Sequence, residues 1–243
     1  MELLKTRYSQ LTYKKITAEE KEYYAIWDDL CESIYKQYPE HIIKSFLHGK
    51  KRVYLSFDDA PDKYCTEHIL DVLKDMNIKA SFSVVGDYID DNIEILKRIQ
   101  SEGHCIINHT MKHLDLTLLS REEIENEIEE TENKLFKLLG IKCSLLRPPY
   151  GKIDIRAAEC IVGKEYNIVL WSYNTCDWVA AAKEEITEGM ADSIRDGDII
   201  LLHSYENKEN TVAALPYIIS ELRKNNFDFG TLDEWKKLCL EKL

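Results

Sequence analysis

The chain has 243 residues, of which 44% are hydrophobic and 31% charged, and its formal net charge is −12 at pH 7. This composition is typical of a soluble globular protein with a hydrophobic core, and the acidic balance argues against nucleic acid or an anionic membrane as the main partner. No run approaches the roughly 18 apolar residues of a membrane span.

The cysteines and the N-terminus indicate a compartment. Seven cysteines are scattered without any Cys-x-x-Cys pair, which favours reduced, mostly structural thiols. The first residues lead into polar sequence and contain no apolar core of a signal peptide. We therefore expect a cytoplasmic protein, unless a leader has been removed.

Residues 1–50 are predicted to form a helical extension. Thr17 and Glu20 have the spacing of a capping box, and an apolar face at helical spacing follows them. That face is formed by Tyr23, Trp27, Leu30 and Ile34. After Pro39, a second and shorter helix is predicted from Ile42, Ile43, Phe46 and Leu47.

From residue 51 onward, strand-like and helix-like segments alternate, which predicts a parallel sheet covered by helices. The strands are predicted at 53–57, 80–85, 105–107, 144–146, 168–171, 199–202 and 227–230. Helices are predicted to begin near Thr66 and Asp91, and the longest begins at the Ser120–Glu123 capping box and ends at Gly140. A short helix carrying Met190 and Ile194 precedes the strand at 199–202, and a final helix has its apolar face at Leu215, Ile218, Ile219 and Leu222.

Most of the unusual polar residues follow directly after a predicted strand. They are Asp58 and Asp59, His109 and His113, Arg147, Asp177 and His203. In a parallel α/β barrel the loops after the strands share one rim, and active sites form there. These residues are therefore expected to lie close together.

Asp58 and Asp59 lie between a strand and Pro61. Neighbouring side chains on an extended segment point to opposite sides, so one carboxylate could hold a metal while the other takes a proton. The simpler alternative is a solvated acidic turn, because Asp and Pro are common in turns.

His109 and His113 are four residues apart, so one turn of helix or a tight loop could aim both at one point. Two histidines and a carboxylate suit catalytic zinc or a non-haem iron site, although surface or core histidines would show the same spacing.

Arg147 begins a turn that Pro148 and Pro149 stiffen, which would present its side chain in one orientation. Asp177 and His203 carry little information individually.

In combination, these segments resemble the five motifs of the NodB-type polysaccharide deacetylases, in the same order. The motifs are Asp58-Asp59-Ala60-Pro61, His109-x-x-x-His113, Arg147-Pro148-Pro149-Tyr150, Asp177-Trp178 and Leu201-Leu202-His203. The resemblance runs from about residue 51 to residue 235. It implies an α/β fold, a distorted and incomplete (β/α) barrel over residues 51–243, with residues 1–50 as an N-terminal helical extension.

The resemblance further implies a metal-dependent hydrolase that removes N-acetyl, or O-acetyl, groups from a sugar or oligosaccharide. Asp59, His109 and His113 would hold a divalent metal, usually zinc, with cobalt, nickel or manganese as alternatives. Asp58 would be the general base, with Arg147 as its partner, and the Tyr150 N–H would be the oxyanion donor. His203 would be the general acid, and Asp177 would raise the pKa of His203. Pro149, Tyr150 and Trp178 would contact the substrate.

Three positions depart from the family pattern: Ala60 and Ile107 replace the usual glycines, and Asn174 replaces an aspartate. A methyl group at Ala60 would be costly if that position needs a positive φ. The alternatives to a deacetylase are a sugar-binding protein without turnover and an amidohydrolase acting on a small nitrogen compound. An iron oxygenase would leave Arg147, Asp177 and His203 without a purpose.

Overall fold

The computed structural model of the protein describes residues 6–9, 13–46 and 49–235. Its centre is a wholly parallel sheet in the order β1-β8-β9-β3-β4-β5-β6-β7-β2, with β10 paired to β3. The strands are β1 (Arg7–Tyr8), β2 (Ile42–Ile43), β3 (Arg52–Ala60), β4 (Ser81–Val84), β5 (Cys105–Asn108), β6 (Leu145–Leu146), β7 (Asn167–Val169), β8 (Tyr173–Asn174), β9 (Ile199–His203) and β10 (Asp228–Phe229).

Helices connect the strands and cover the sheet. They are α1 (Ala18–Gln37), α2 (Cys65–Asp75), α3 (Ile93–Ser101), α4 (Arg121–Leu139), α5 (Ile155–Gly163), α6 (Lys183–Thr187), α7 (Met190–Ser193) and α8 (Glu209–Lys224). β7 and β8 follow each other along the chain but lie towards opposite ends of the strand order. The predicted incomplete (β/α) barrel is therefore confirmed.

The segment before residue 50 contributes to the sheet as well as supplying a helix. β1 pairs with β8 and β2 pairs with β7, so the segment supplies both outermost strands of the path. The short helix predicted after Pro39 is wrong: Ile42 and Ile43 form β2, because pairing with β7 buries both side chains. Leu47 lies outside the described residues. The division of the chain at residue 50 stays a prediction.

Helix α1 begins at the predicted capping box, in which Thr17 and Glu20 bond to each other's backbone N–H. Trp27 and Ile34 are buried as expected, whereas Leu30 is exposed and Cys31 takes its place in the core. The reason is that positions 27, 31 and 34 share one face of a helix with 3.6 residues per turn.

The longest helix, α4, also has the predicted limits, since the Ser120–Glu123 capping box begins it and Gly140, at φ 68°, ends it. Thr66 does not cap α2 as predicted. Instead, Asp62 Oδ1 accepts hydrogen bonds from the N–H groups of Tyr64 and Cys65, while Thr66 lies inside the first turn. None of the helices in the described part of the chain is long and apolar enough to cross a membrane.

Candidate active site

The end of β3 places two neighbouring carboxylates at one point. Phe57 is paired with Phe82 and Ala60 with Val84, so β3 has one extra residue there and forms a bulge. Within this bulge Asp59 has φ 65°. Asp58 Oδ2 and Asp59 Oδ1 consequently lie 3.8 and 3.6 Å from the same atom, His109 Nε2. The alternation expected of an extended segment does not hold here, because the extra residue turns both side chains towards His109.

His109 follows β5 and is oriented by a backbone carbonyl. Its Nδ1 lies 2.7 Å from the carbonyl oxygen of Arg147. That oxygen can only accept, so Nδ1 carries a proton, and Nε2 is the ring nitrogen that faces the carboxylates and could bind a metal.

His113 lies on a tight loop rather than a helix, with positive φ at Thr110 and His113. This loop is held by hydrogen bonds from the Thr110 N–H to Asn108 Oδ1 and from the Lys112 N–H to Glu127 Oε2.

Asp59, His109 and His113 fit a metal ion. One donor atom from each lies within 4.8 Å of the others, and Asp59 Oδ1 is buried and accepts no hydrogen bond from the described residues. Burial, followed by the nearby His109, lowers the pKa of His113 to about 4, so that its ring is neutral at pH 7. His113 Nε2 lies only 3.1 Å from Asp59 Oδ1 without a hydrogen bond between them, which leaves both atoms available to a cation. Two imidazoles and one carboxylate are ligands that zinc accepts.

Asp58 has a different partner. Arg147 is fully buried, and its Nη1 donates to Asp58 Oδ1 at 2.6 Å. Burial by itself would raise the pKa of Asp58. The charge of Arg147 and the smaller contributions of His109 and His203 together outweigh this effect and hold the pKa at about 2. Asp58 is therefore an ionised proton acceptor at neutral pH.

His203, the last residue of β9, forms a pair with buried Asp177. Its Nδ1 lies 2.7 Å from Asp177 Oδ1 and its backbone N–H donates to Oδ2. Thr211 Oγ1 also donates to Oδ2, at 2.7 Å. Burial alone would lower the pKa of His203, but Asp177, with smaller contributions from Asp59 and Asp58, outweighs burial and raises that pKa to about 9. The imidazole is thus protonated at pH 7, and Nε2 is its available donor.

The turn after β6 has an unusual backbone. Tyr150 has φ 59° and Gly151 has φ 66°. The N–H groups of Gly151 and Lys152 donate within the turn, to Pro148 and Pro149, whereas the N–H of Tyr150 has no acceptor among the described residues. A Cβ on Gly151 would lie 2.4 Å from Trp171 Cη2, so no larger residue fits.

These groups surround one cavity of about 380 Å³. The predicted residues that line it are Asp58, Asp59, His109, His113, Tyr150, Trp178 and His203, while Arg147, Pro149 and Asp177 lie buried behind it. The lining residues to which sequence reasoning gave no role in the site are Glu20, Tyr24, Tyr88, Gly151, Trp171, Leu201 and Tyr205. Tyr88 and Tyr205 follow strands, so the rule that site residues come directly after strands could have found them. Glu20 and Tyr24 carry no such signal, because they lie on α1.

The three departures from the family pattern have structural explanations. The positive φ belongs to Asp59 and not to Ala60, whose methyl group is buried in the core. Asn174 is buried, and its Oδ1 accepts the N–H of Cys176, next to Asp177. Ile107 is fully buried. None of these residues displaces a member of the site.

Comparisons with known proteins identify the family. Residues 48–169 match the family model described as polysaccharide deacetylase. The chain is 37% identical over 187 residues to a peptidoglycan-N-acetylglucosamine deacetylase of Bacillus cereus, covering 76% of this chain and 68% of the relative. It is 31% identical over 201 residues to a chitooligosaccharide deacetylase of Bradyrhizobium sp., covering 76% and 91%.

A solved structure shows the same fold. The Bc1960 peptidoglycan N-acetylglucosamine deacetylase, in complex with 4-naphthalen-1-yl-N-oxidanyl-benzamide, superposes with a TM-score of 0.78 at 34% identity. The match covers 82% of this chain and 94% of that structure. From the matched residues, the identities and the shared fold, we conclude that the chain belongs to the polysaccharide deacetylase family.

Proposed function

We propose that this protein is a metal-dependent hydrolase that removes the N-acetyl group from an N-acetylglucosamine-type sugar or oligosaccharide. The observation that carries the proposal is that a metal-ligand set, an ionised carboxylate and a protonated imidazole all line one cavity. The names of the relatives support the choice of an acetamido sugar as substrate.

Asp59, His109 and His113 would hold the metal, and we propose zinc because two imidazoles and a carboxylate leave positions open for water and substrate. A divalent ion there supplies Lewis-acid polarisation of the amide carbonyl and lowers the pKa of a water molecule. Cobalt, nickel and manganese are alternatives, because the same ligand set binds several first-row ions.

Asp58 serves as the general base. Its ion pair with Arg147 keeps it ionised, and its Oδ2 faces His109 Nε2 at 3.8 Å, next to the ligand set. A carboxylate in this place can take a proton from the attacking water. A general base is typically worth about 10²–10⁴ in rate.

His203 serves as the general acid and the Tyr150 N–H as the oxyanion donor. The amine leaves poorly without a proton, and His203 carries one at neutral pH because of Asp177. The oxyanion forms beside the ligand set, where the Tyr150 ring stacks edge-on against His113 at 4.6 Å. One oxyanion donor is worth about 3–4 kcal/mol.

The cavity wall suits a sugar ring. Aromatic side chains of Tyr88, Tyr150, Trp178 and Tyr205 line it, and such rings bury apolar sugar faces while their polar tips reach hydroxyl groups. Its volume of about 380 Å³ lies near the lower end of the ~300–1,000 Å³ typical of small-ligand sites. The site therefore suits a sugar unit held at its acetamido group.

The test is an acetate-release assay on N-acetylglucosamine oligomers and peptidoglycan fragments, with metal-free protein and with added Zn²⁺ or Co²⁺. We expect acetate only when metal is present. Bound metal without acetate from any of these substrates would reject the proposal in favour of a sugar-binding protein without turnover. Activity restricted to non-carbohydrate amides would favour the small-molecule amidohydrolase.

A further inference from the structure

Trp27 of α1 contacts the turn that carries Tyr150, although it lies outside the residues that the family model matches. Its indole N–H donates to the carbonyl oxygen of Gly151 at 2.8 Å, in a buried hydrogen bond between residues 124 positions apart. The ring also stacks on Trp171, with centroids 4.8 Å apart and planes at 19°.

The turn is enclosed by these two indoles. Trp171 fills the space beside Gly151, and Trp27 lies on Trp171 while binding the Gly151 carbonyl. Tyr150 is a non-glycine residue in the left-handed region, a conformation that persists only when its surroundings impose it. Trp27 and Trp171 supply that constraint through their contacts with the neighbouring Gly151.

Trp27 is itself held in place. The ammonium group of Lys44 lies 4.4 Å from the centroid of the Trp27 ring and is ion-paired with Asp28. Lys44 is buried, as is Trp27. The indole can therefore hold the turn in a fixed position relative to α1.

We propose that Trp27 is a positioning residue for the oxyanion-binding turn, and that the N-terminal helix is thereby a working part of this active site. The inference rests on the proposed function, since it gives Trp27 the role of positioning the Tyr150 N–H, the proposed oxyanion donor. Trp27 reaches that N–H only through Gly151 and Trp171. Its effect should therefore appear in the transition state, where the oxyanion exists, and not in substrate binding.

The principal variant is Trp27→Phe, which keeps an aromatic ring against Trp171 and removes the N–H donor. We expect kcat to fall roughly three- to tenfold, the range that one hydrogen bond represents, while KM and zinc content stay within about twofold of the wild type. The matched control is Ile34→Ala, a buried position two turns further along α1. It should lower the melting temperature without lowering kcat.

Hydrogen–deuterium exchange of the Gly151 and Lys152 amides, which donate within the turn, gives a readout that does not depend on turnover. Trp27→Phe should accelerate exchange in this turn, whereas Ile34→Ala should not. The inference would be overturned if Trp27→Phe kept both the kcat and the exchange rate of the wild type. It would also be overturned if Trp27→Phe and Ile34→Ala lost kcat equally. If the wild-type protein releases no acetate, the proposed function fails, and exchange alone decides whether Trp27 holds the turn.

Discussion

The two adjacent carboxylates at the end of β3 differ in their partners. Asp58 is bonded to Arg147 at 2.6 Å, whereas Asp59 Oδ1 faces two histidine nitrogens and accepts no hydrogen bond from the described residues. A carboxylate that a guanidinium keeps ionised is suited to proton transfer, and one facing two imidazole nitrogens is suited to a metal. Substitutions at the two kinds of position should therefore have separable effects.

Asp58→Asn should abolish most turnover while leaving the metal bound. We expect kcat to fall by at least about 10²-fold, because the general base is lost, with zinc content near that of the wild type. His113→Ala should lose both activity and metal, because it removes a ligand. Metal content by atomic emission and acetate release check this pair, and equal loss of metal in the two variants would contradict the division of roles.

The His203–Asp177 pair predicts the alkaline limb of the pH–rate profile. The pKa of His203 is raised to about 9, so the acid is protonated below that pH and the rate should fall as the pH rises through it. Asp177→Asn removes the charge responsible, so the limb should move towards the ordinary histidine value of 6.5. Rates measured from pH 6 to 10 test this. An unmoved limb in Asp177→Asn would remove His203 from the acid role.

At the level of elements, the site is built from backbone that leaves regular geometry just after the strands. Non-glycine residues with positive φ near the cavity are Asp59, Thr110, His113, Tyr150 and Cys176. Such conformations persist where surrounding contacts impose them. The regular helices supply some of these contacts. Glu127 of α4, for example, accepts a hydrogen bond from the Lys112 N–H beside His113.

Ser120→Ala should reduce stability without reducing activity. The Ser120 hydroxyl accepts the Glu123 N–H at the start of α4, and removing an N-cap costs about 1 kcal/mol. Glu127 lies well inside the helix, so kcat should stay at the wild-type value. Urea unfolding and acetate release measure the two quantities. Ser101→Ala, at an exposed position near the end of α3, is the control and should change neither.

Over the whole molecule, the N-terminal segment supplies both outermost strands of the sheet path. Arg7 of β1 is ion-paired with buried Asp198, to which Ser172 also donates at 2.8 Å. At the other end of the sheet, Lys44 follows β2 and is ion-paired with Asp28 of α1. These long-range contacts join the segment to the body of the protein, and they bring Glu20, Tyr24 and Trp27 to the active-site end.

The buried His104 predicts a loss of global stability in acid. Burial, followed by the charge of Lys79, lowers its pKa from 6.5 to about 4. Between pH 6.5 and about pH 4, His104 is protonated in the unfolded chain but neutral in the folded protein. The free energy of unfolding therefore falls as the pH drops through this range. His104→Asn should make this fall shallower. Urea unfolding at pH 7 and pH 5 checks the slope, and an unchanged slope would contradict the prediction.

Much of the fold and of the site could be predicted because the signals are local. The capping boxes at Thr17 and Ser120 and the stop at Gly140 depend on contacts within a few residues. The parallel strands followed by chemically distinctive side chains reflect the common rim of such barrels. By contrast, the helical spacing at Ile42 and Ile43 misled, because pairing with β7 decides the conformation of that short segment.

The amino-acid sequence by itself determined the alternation of strands and helices and the set of groups that gather at the strand ends. Only the tertiary structure decided how they are aimed. The bulge in β3 turns both carboxylates towards His109, the carbonyl of Arg147 orients the His109 ring, and Trp27 reaches Gly151 from 124 residues away. These properties come from contacts between distant segments, whose geometry and burial no local pattern contains.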